Sequence, residues 1–175
     1  HLDGARIFNA ASYLNVDAAD IARYADSVMF CISKGLCAPV GSLLVGSSEF
    51  IRKARAKRKI MGGGMRQAGI LAAAGIIALE KMTKRVNEDH ERAVHLAKLL
   101  NQIPGLSVNM EDVQINMVFV RFLRPVDADR LTIRLKENGI LVNPPEDGVM
   151  RLVTHYYIDD EMIERTAEVL SKILA

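Results

Sequence analysis

Two apolar runs of strand length, Ser27–Ile32 (SVMFCI) and Val40–Val45 (VGSLLV), flank a short loop that carries one lysine, Lys34. Runs this short and this apolar read as strands buried on both faces. Such strands need helices or further strands over them, which restricts the chain to layered α/β architectures. The 175 residues are 50% hydrophobic and 25% charged, enough to bury a core, since a chain of this size removes roughly 70% of its unfolded surface on folding. Disorder is excluded, and one globule, in one or two lobes, is expected. Lys and Arg number 23 against 21 Asp and Glu, a net charge of +2, which does not call for nucleic acid or an anionic membrane as partner. Cys31 and Cys37 form no CxxC pair and have no nearby histidine cluster, so they read as reduced core thiols of a cytoplasmic protein. The opening residues, from His1 onward, lack a signal peptide's basic and apolar regions.

Element by element, the pattern predicts helices in Asn9–Leu14 and Asp17–Tyr24, and a helix from Ser47 or Ser48 through a basic stretch to Ile60. Gly62-Gly63-Gly64 then breaks the chain as a hinge. Met65–Leu100 reads as long helical structure, Ala-rich and buried in its first half and amphipathic in its second, with the change near Met82. Its apolar run Gly69–Leu79 is well short of the roughly 20 residues of a membrane span. After Pro104-Gly105 the elements alternate: strands at Leu106–Val108 and Met117–Phe122, a helix Asp127–Asn138, strands Ile140–Val142 and Val149–Thr154, and a helix Asp159–Leu174. This order predicts a small α+β lobe over 83–175, after a first unit over 1–82.

Three features go beyond packing: the turn Asp3-Gly4-Ala5-Arg6, the lone Lys34 in Ser-Lys-Gly, and the stretch Gly62–Gly69 (GGGMRQAG). A lysine just behind a buried strand is costly to desolvate unless it is paired, neutralised or covalently bound, and a Schiff-base nucleophile requires such depression of its pKa. On general grounds, exposure is the commoner state of a loop lysine. An aspartate ending a strand suits the ring nitrogen of pyridoxal phosphate, because a carboxylate there keeps the pyridinium protonated.

The stretches HLDGAR, SVMFCISKGLCAPVGSLLVG and GGGMRQAGILAAAGIIAL, with NMVFVRF and MRLVTH, resemble the low-specificity L-threonine aldolases, pyridoxal-phosphate enzymes of fold type I in the β-eliminating lyase superfamily. HxDGAR with SKG is also similar to other lyases on this fold. The resemblance implies the C-terminal part of the fold-type-I large domain followed by the small domain. It further implies that Lys34 forms the Schiff base with the cofactor, that Asp3 pairs with the pyridinium, and that His1 supports Asp3. Arg6 would lie beside the cofactor's phenolic oxygen and the substrate carboxylate, and Arg151 would grip that carboxylate bidentately, the two converging on one group. Arg66 would approach the cofactor phosphate across a subunit interface. Members are about twice this length, so the resemblance implies a missing N-terminal half as partner, together with homo-oligomer assembly. The implied substrate is a small β-hydroxy-α-amino acid. The contrasting reading is a non-catalytic assembly fragment.

The basic run Arg52–Lys59 has no interleaved aromatic residue and reads as a solvated helix face rather than an RNA surface. His90 and His95 are five apart, unlike the i, i+4 pair of a zinc helix, and read as surface residues. His155 follows the Arg151 strand and is a candidate pocket residue.

Overall fold

A computed structural model describes all residues from His1 to Ala175. The chain divides into two compact units, His1–Asn87 and Glu88–Ala175.

In the first unit, β1 (Leu2–Asp3), α1 (Ile7–Leu14), α2 (Ala18–Ala22), β2 (Ser27–Cys31) and β3 (Ser42–Gly46) precede α3 (Ser48–Ile60) and α4 (Gly69–Glu80). The sheet order is β1-β2-β3. β1 runs parallel to β2, with Asp3 opposite Met29, and β3 runs antiparallel to β2, with Ser42 opposite Cys31. Gly4 permits the tight exit from β1: its N–H donates to Met29 O at 2.7 Å, and a Cβ there would lie 3.1 Å from that oxygen. A small cluster of Ile32, Leu36, Ala38, Ala78 and Val86 forms the core of this unit, with Phe8 and Phe30 packed against it edge to face.

Two expectations for this unit are corrected. β3 is exposed along its whole length. It has a neighbour on one side only, and what approaches it is the first turn of α3, where Phe50 closes on Gly46. Hydropathy registered its apolar content and not which surface would cover it. The Ala-rich helix is likewise not buried: α4 buries only Gly75 and Ala78 and leaves Ile70, Ile76 and Ile77 exposed. It ends in a 3-10 turn at Met82–Arg85, where the expected change near Met82 falls, and a second helix follows from Val86. No helix is long and apolar enough to cross a membrane.

α5 (Val86–Leu100) leads into the second unit, followed by β4 (Leu106–Val108), β5 (Met117–Phe122), α6 (Ala128–Glu137), β6 (Val149–Val153) and α7 (Asp160–Leu174). The strands form an antiparallel sheet, β4-β5-β6, with Phe119 opposite Arg151. Alternation along β5 buries Val118, Val120 and Phe122 and exposes Phe119 and Arg121, the period of a sheet with one covered face. Leu100, Leu135, Met150, Ile163 and Leu170 are the largest side chains sealed beneath it. Asp127 and Asp159 cap α6 and α7, their carboxylates accepting from the N–H of Arg130 and Met162, as N-caps do.

The expected strand Ile140–Val142 does not form. Ile140 and Val142 pack against the core as irregular chain, and Pro144-Pro145, which have no N–H to donate, prevent the segment from laddering onto β6. The reversal is made instead by Asp147-Gly148, both at positive φ (50° and 74°), between Glu146 and Val149, which exchange two 2.9 Å bonds. This is the two-residue hairpin that Asp-Gly favours. His90 is also corrected: it is buried at 6% exposure, beside Asp89 at 0%. Val86, His90, Ala93, Ala97 and Leu100 are three or four residues apart and form the inward stripe of α5. Position on the helix overrides the polarity of the imidazole, and burial holds the His90 pKa below its ordinary value despite Asp89 and Glu91.

Candidate active site

In the first unit the placement follows from strand direction. β1 and β2 run parallel, so Asp3, at the end of β1, and Lys34, three residues beyond β2, leave the sheet at the same edge. In open α/β sheets ligands bind at this carboxyl edge. Asp3 is exposed and its Oδ1 accepts from Ala5 N–H at 3.2 Å, which fixes the carboxylate at the mouth of the turn. Arg6 follows as the N-cap residue of α1, half-buried.

Lys34 is exposed within this chain and sits on a loop with a fixed frame. Ile32 N–H donates to Gly41 O at 3.1 Å, Ala38 N–H to Ile32 O at 2.9 Å, and Cys37 N–H to Lys34 O at 2.9 Å. Leu36 and Ala38 anchor the loop in the core, and Cys37 takes a left-handed conformation at φ 60°. Neither Cys31 nor Cys37 is in a disulfide, and both are half-buried. A rigid loop with a free ammonium group on it is what the run between the two strands builds. His1 lies at the opposite end of β1, its Nδ1 2.8 Å from Ser27 Oγ, and no hydrogen bond joins it to Asp3.

Arg66 is exposed in the turn between α3 and α4. The glycine run in front of it is a helix cap rather than a loose hinge. Gly63 N–H donates to Arg58 O at 2.8 Å and Gly62 N–H to Lys59 O at 3.2 Å, with Gly62 at φ +82°, the bonding of a Schellman motif. α3 itself buries no residue, and its basic side chains are solvated as expected.

Arg151 and His155 belong to the second unit, where both line a cavity of about 510 Å³. Arg151 is exposed on the uncovered face of β6, between the buried Met150 and Leu152. Beyond the strand, Thr154 is buried and held three ways: its N–H donates to Asn116 O at 3.1 Å, its carbonyl accepts from Asn116 Nδ2 at 2.7 Å, and its Oγ1 donates to Asp89 O at 2.6 Å. The turn after it closes through Ile158 N–H to His155 O at 2.8 Å, while His155 Nδ1 accepts from Tyr157 N–H at 3.3 Å. In neutral His155 that bond leaves the proton on Nε2. Arg165, on α7, lines the same cavity. Sequence reasoning missed it, because one arginine in an amphipathic helix looks like any solvated residue.

The sequence profile of the beta-eliminating lyase family matches residues 1–122. The chain is 44% identical over 168 residues to low-specificity L-threonine aldolase 1 of Arabidopsis thaliana, covering 95% of this chain and 47% of that protein. It is 44% identical over 167 residues to the low specificity L-threonine aldolase of Escherichia coli strain K12, covering 95% of this chain and 48% of the relative. The chain thus spans about half the length of the curated relatives it matches. Its backbone superposes on Leishmania major threonine aldolase with a TM-score of 0.70 at 22% identity, over 99% of this chain and 51% of that one. At that identity the likeness shows the fold, fold type I.

Proposed function

The chain belongs to the beta-eliminating lyase family, and from that premise we propose that, as part of a longer enzyme, it serves pyridoxal-phosphate-dependent retro-aldol cleavage of L-threonine and L-allo-threonine to glycine and acetaldehyde. The observation that carries this reading is the emergence of Asp3 and Lys34 from one carboxyl edge of a parallel strand pair. A carboxylate and a primary amine are the two groups a pyridinium aldehyde requires, and both are exposed there and free to receive it. When bound, the cofactor supplies an electron sink for the charge left on Cα.

The residues of this chain have separate tasks. Lys34 offers its amine from a loop whose backbone is already set, so that little ordering remains for binding. Asp3 would accept a hydrogen bond from the pyridinium N–H and so keep the ring nitrogen protonated. Arg151 would grip the substrate carboxylate with its planar fork, and Arg6 would serve the cofactor's phenolic oxygen. Arg66 faces the cofactor phosphate, and His1, bound to Ser27, braces the start of β1. We read the assembly as a homo-oligomer that includes the remaining half of the fold, located in the cytoplasm, where the thiols of Cys31 and Cys37 stay reduced.

The test is Lys34→Ala in the complete enzyme, with threonine cleavage followed by acetaldehyde release. Turnover should drop by several orders of magnitude, because the amine has no substitute. Near-wild-type turnover would refute the assignment and favour an assembly role for this chain.

A further inference from the structure

Polar side chains meet where β6 ends, inside a core that is otherwise apolar. Asn116, Thr154 and Asp89 are buried as deeply as the core residues Val118, Val120 and Met150. A buried polar group costs stability unless it is bonded, and apolar side chains of similar volume fill the same space without that cost. Packing alone does not account for the cluster, whereas its position does.

The backbone ladder between β5 and β6 ends with Met117 opposite Val153. Beyond it, Thr154 N–H donates to Asn116 O at 3.1 Å, as a continuing ladder would have it, but the Thr154 carbonyl accepts from the Asn116 side chain at 2.7 Å instead of from a backbone N–H. The side chain thus takes the place of the next strand residue, which ends the pairing and lets the chain turn. That turn closes through Ile158 N–H to His155 O at 2.8 Å. The Thr154 hydroxyl brings in a third element, donating to Asp89 O near the start of α5 at 2.6 Å. The cavity wall includes Arg151 through His155 without a break, so this tie sits at the end of β6 that serves the cavity. The other end of the strand is reversed by the Asp147-Gly148 turn through backbone bonds.

We propose that Thr154 and Asn116 are positioning residues for substrate binding. Their bonds fix the point at which β6 stops and the direction in which the chain leaves it, and so hold Arg151 and His155 in place along one wall of the cavity. The inference rests on the retro-aldol reading and deepens it: both residues act through their neighbours, and the precision of the site comes from a buried cross-tie among α5, β5 and β6.

The experiment measures threonine cleavage by the complete enzyme carrying Thr154→Val, which keeps the volume and both backbone bonds and removes only the hydroxyl tie, or Thr154→Ser, which keeps the tie. The valine variant should raise KM about tenfold and leave kcat within about twofold, the pattern of binding lost equally in ground and transition states, and the serine variant should restore KM. Leu170→Val, which loosens the same core away from the cavity, should leave KM unchanged. An unchanged KM in the valine variant, or an equal rise in the serine or the Leu170 variant, would overturn the proposal. Hydrogen exchange of the wild type needs no variant to fold: the Thr154 amide, although past the last ladder pair, should exchange as slowly as that of Leu152, and exchange at loop rates would also overturn the proposal. Failure of the retro-aldol reading has a different signature: the complete enzyme would release no acetaldehyde from threonine, which removes the substrate role of the tie, while the Thr154 amide stayed protected.

Discussion

Asn116 is the residue through which the end of β6 is secured, and its replacement by alanine gives a sharp test of the second unit's architecture. Asn116 is 1% exposed and Thr154 2%. The 2.7 Å bond from Asn116 Nδ2 is what satisfies the Thr154 carbonyl, whereas Asn116 Oδ1 has no partner of its own. Losing the bond strands a buried acceptor at a cost of about 2 kcal/mol. The vacated volume adds roughly 1 kcal/mol, and removal of the unpartnered oxygen returns about 1 kcal/mol. The net loss is about 2 kcal/mol, which lowers the melting temperature of a unit this size by roughly 8–16 °C. Asn116→Asp should be worse, since its carboxylate presents an acceptor to a carbonyl. The assay is thermal unfolding by circular dichroism, with urea titration as a check. An alanine variant within about 0.5 kcal/mol of wild type, or an aspartate variant no worse than alanine, would refute the reasoning.

Burial lowers the His90 pKa below 6.5, so the unfolded chain binds the proton more readily. Stability is then full above about pH 6.5 and falls as pH drops from there toward the folded pKa. His90→Gln should flatten that decline, and an unchanged pH profile in urea unfolding would show that the imidazole is not its source. Gly62→Ala meets no atom within 4 Å but must adopt φ +82°, so it should cost about 1 kcal/mol from backbone strain alone, measurable as a lowered urea midpoint; an unchanged midpoint contradicts the cap. The exposed Leu43, Leu44, Val45, Ile70, Ile76 and Ile77 should make the chain associate when it is by itself, and a monodisperse 19.3 kDa species in light scattering would count against this.

Local rules carried the sequence reading a long way where the signal was local. The helix start at Ser47 or Ser48, the helices from Asp127 and Asp159, the strand Met117–Phe122 and, one residue shorter than expected, the strand Ser27–Ile32 appear where the pattern placed them. The misreadings share one cause. β3, α4 and His90 each depend on which surface meets which, and hydropathy reports an apolar or polar side chain without its neighbour. Ile140–Val142 had strand composition but no ladder to join. In the site, the HLDGAR and SKG motifs marked Asp3, Arg6 and Lys34, and the parallel register of β1 with β2 explains why residues thirty positions apart leave the sheet at one edge. Arg165 left no such trace, because only the fold brings α7 beside β6.

The register of the first sheet also sets an order of assembly. Cys31 and Ser42 close a loop of about 11 residues, whereas Asp3 and Met29 close one of about 26. The longer closure costs about 0.8 kcal/mol more chain entropy, and β1 repays it with only two residues of pairing. This difference predicts that the lysine loop forms first, on a hairpin closed without the opening residues, and that the aspartate docks last. Hydrogen exchange should find the amides of β2 and β3 protected before Gly4, and a chain arrested before that final step would present its amine with no carboxylate set opposite.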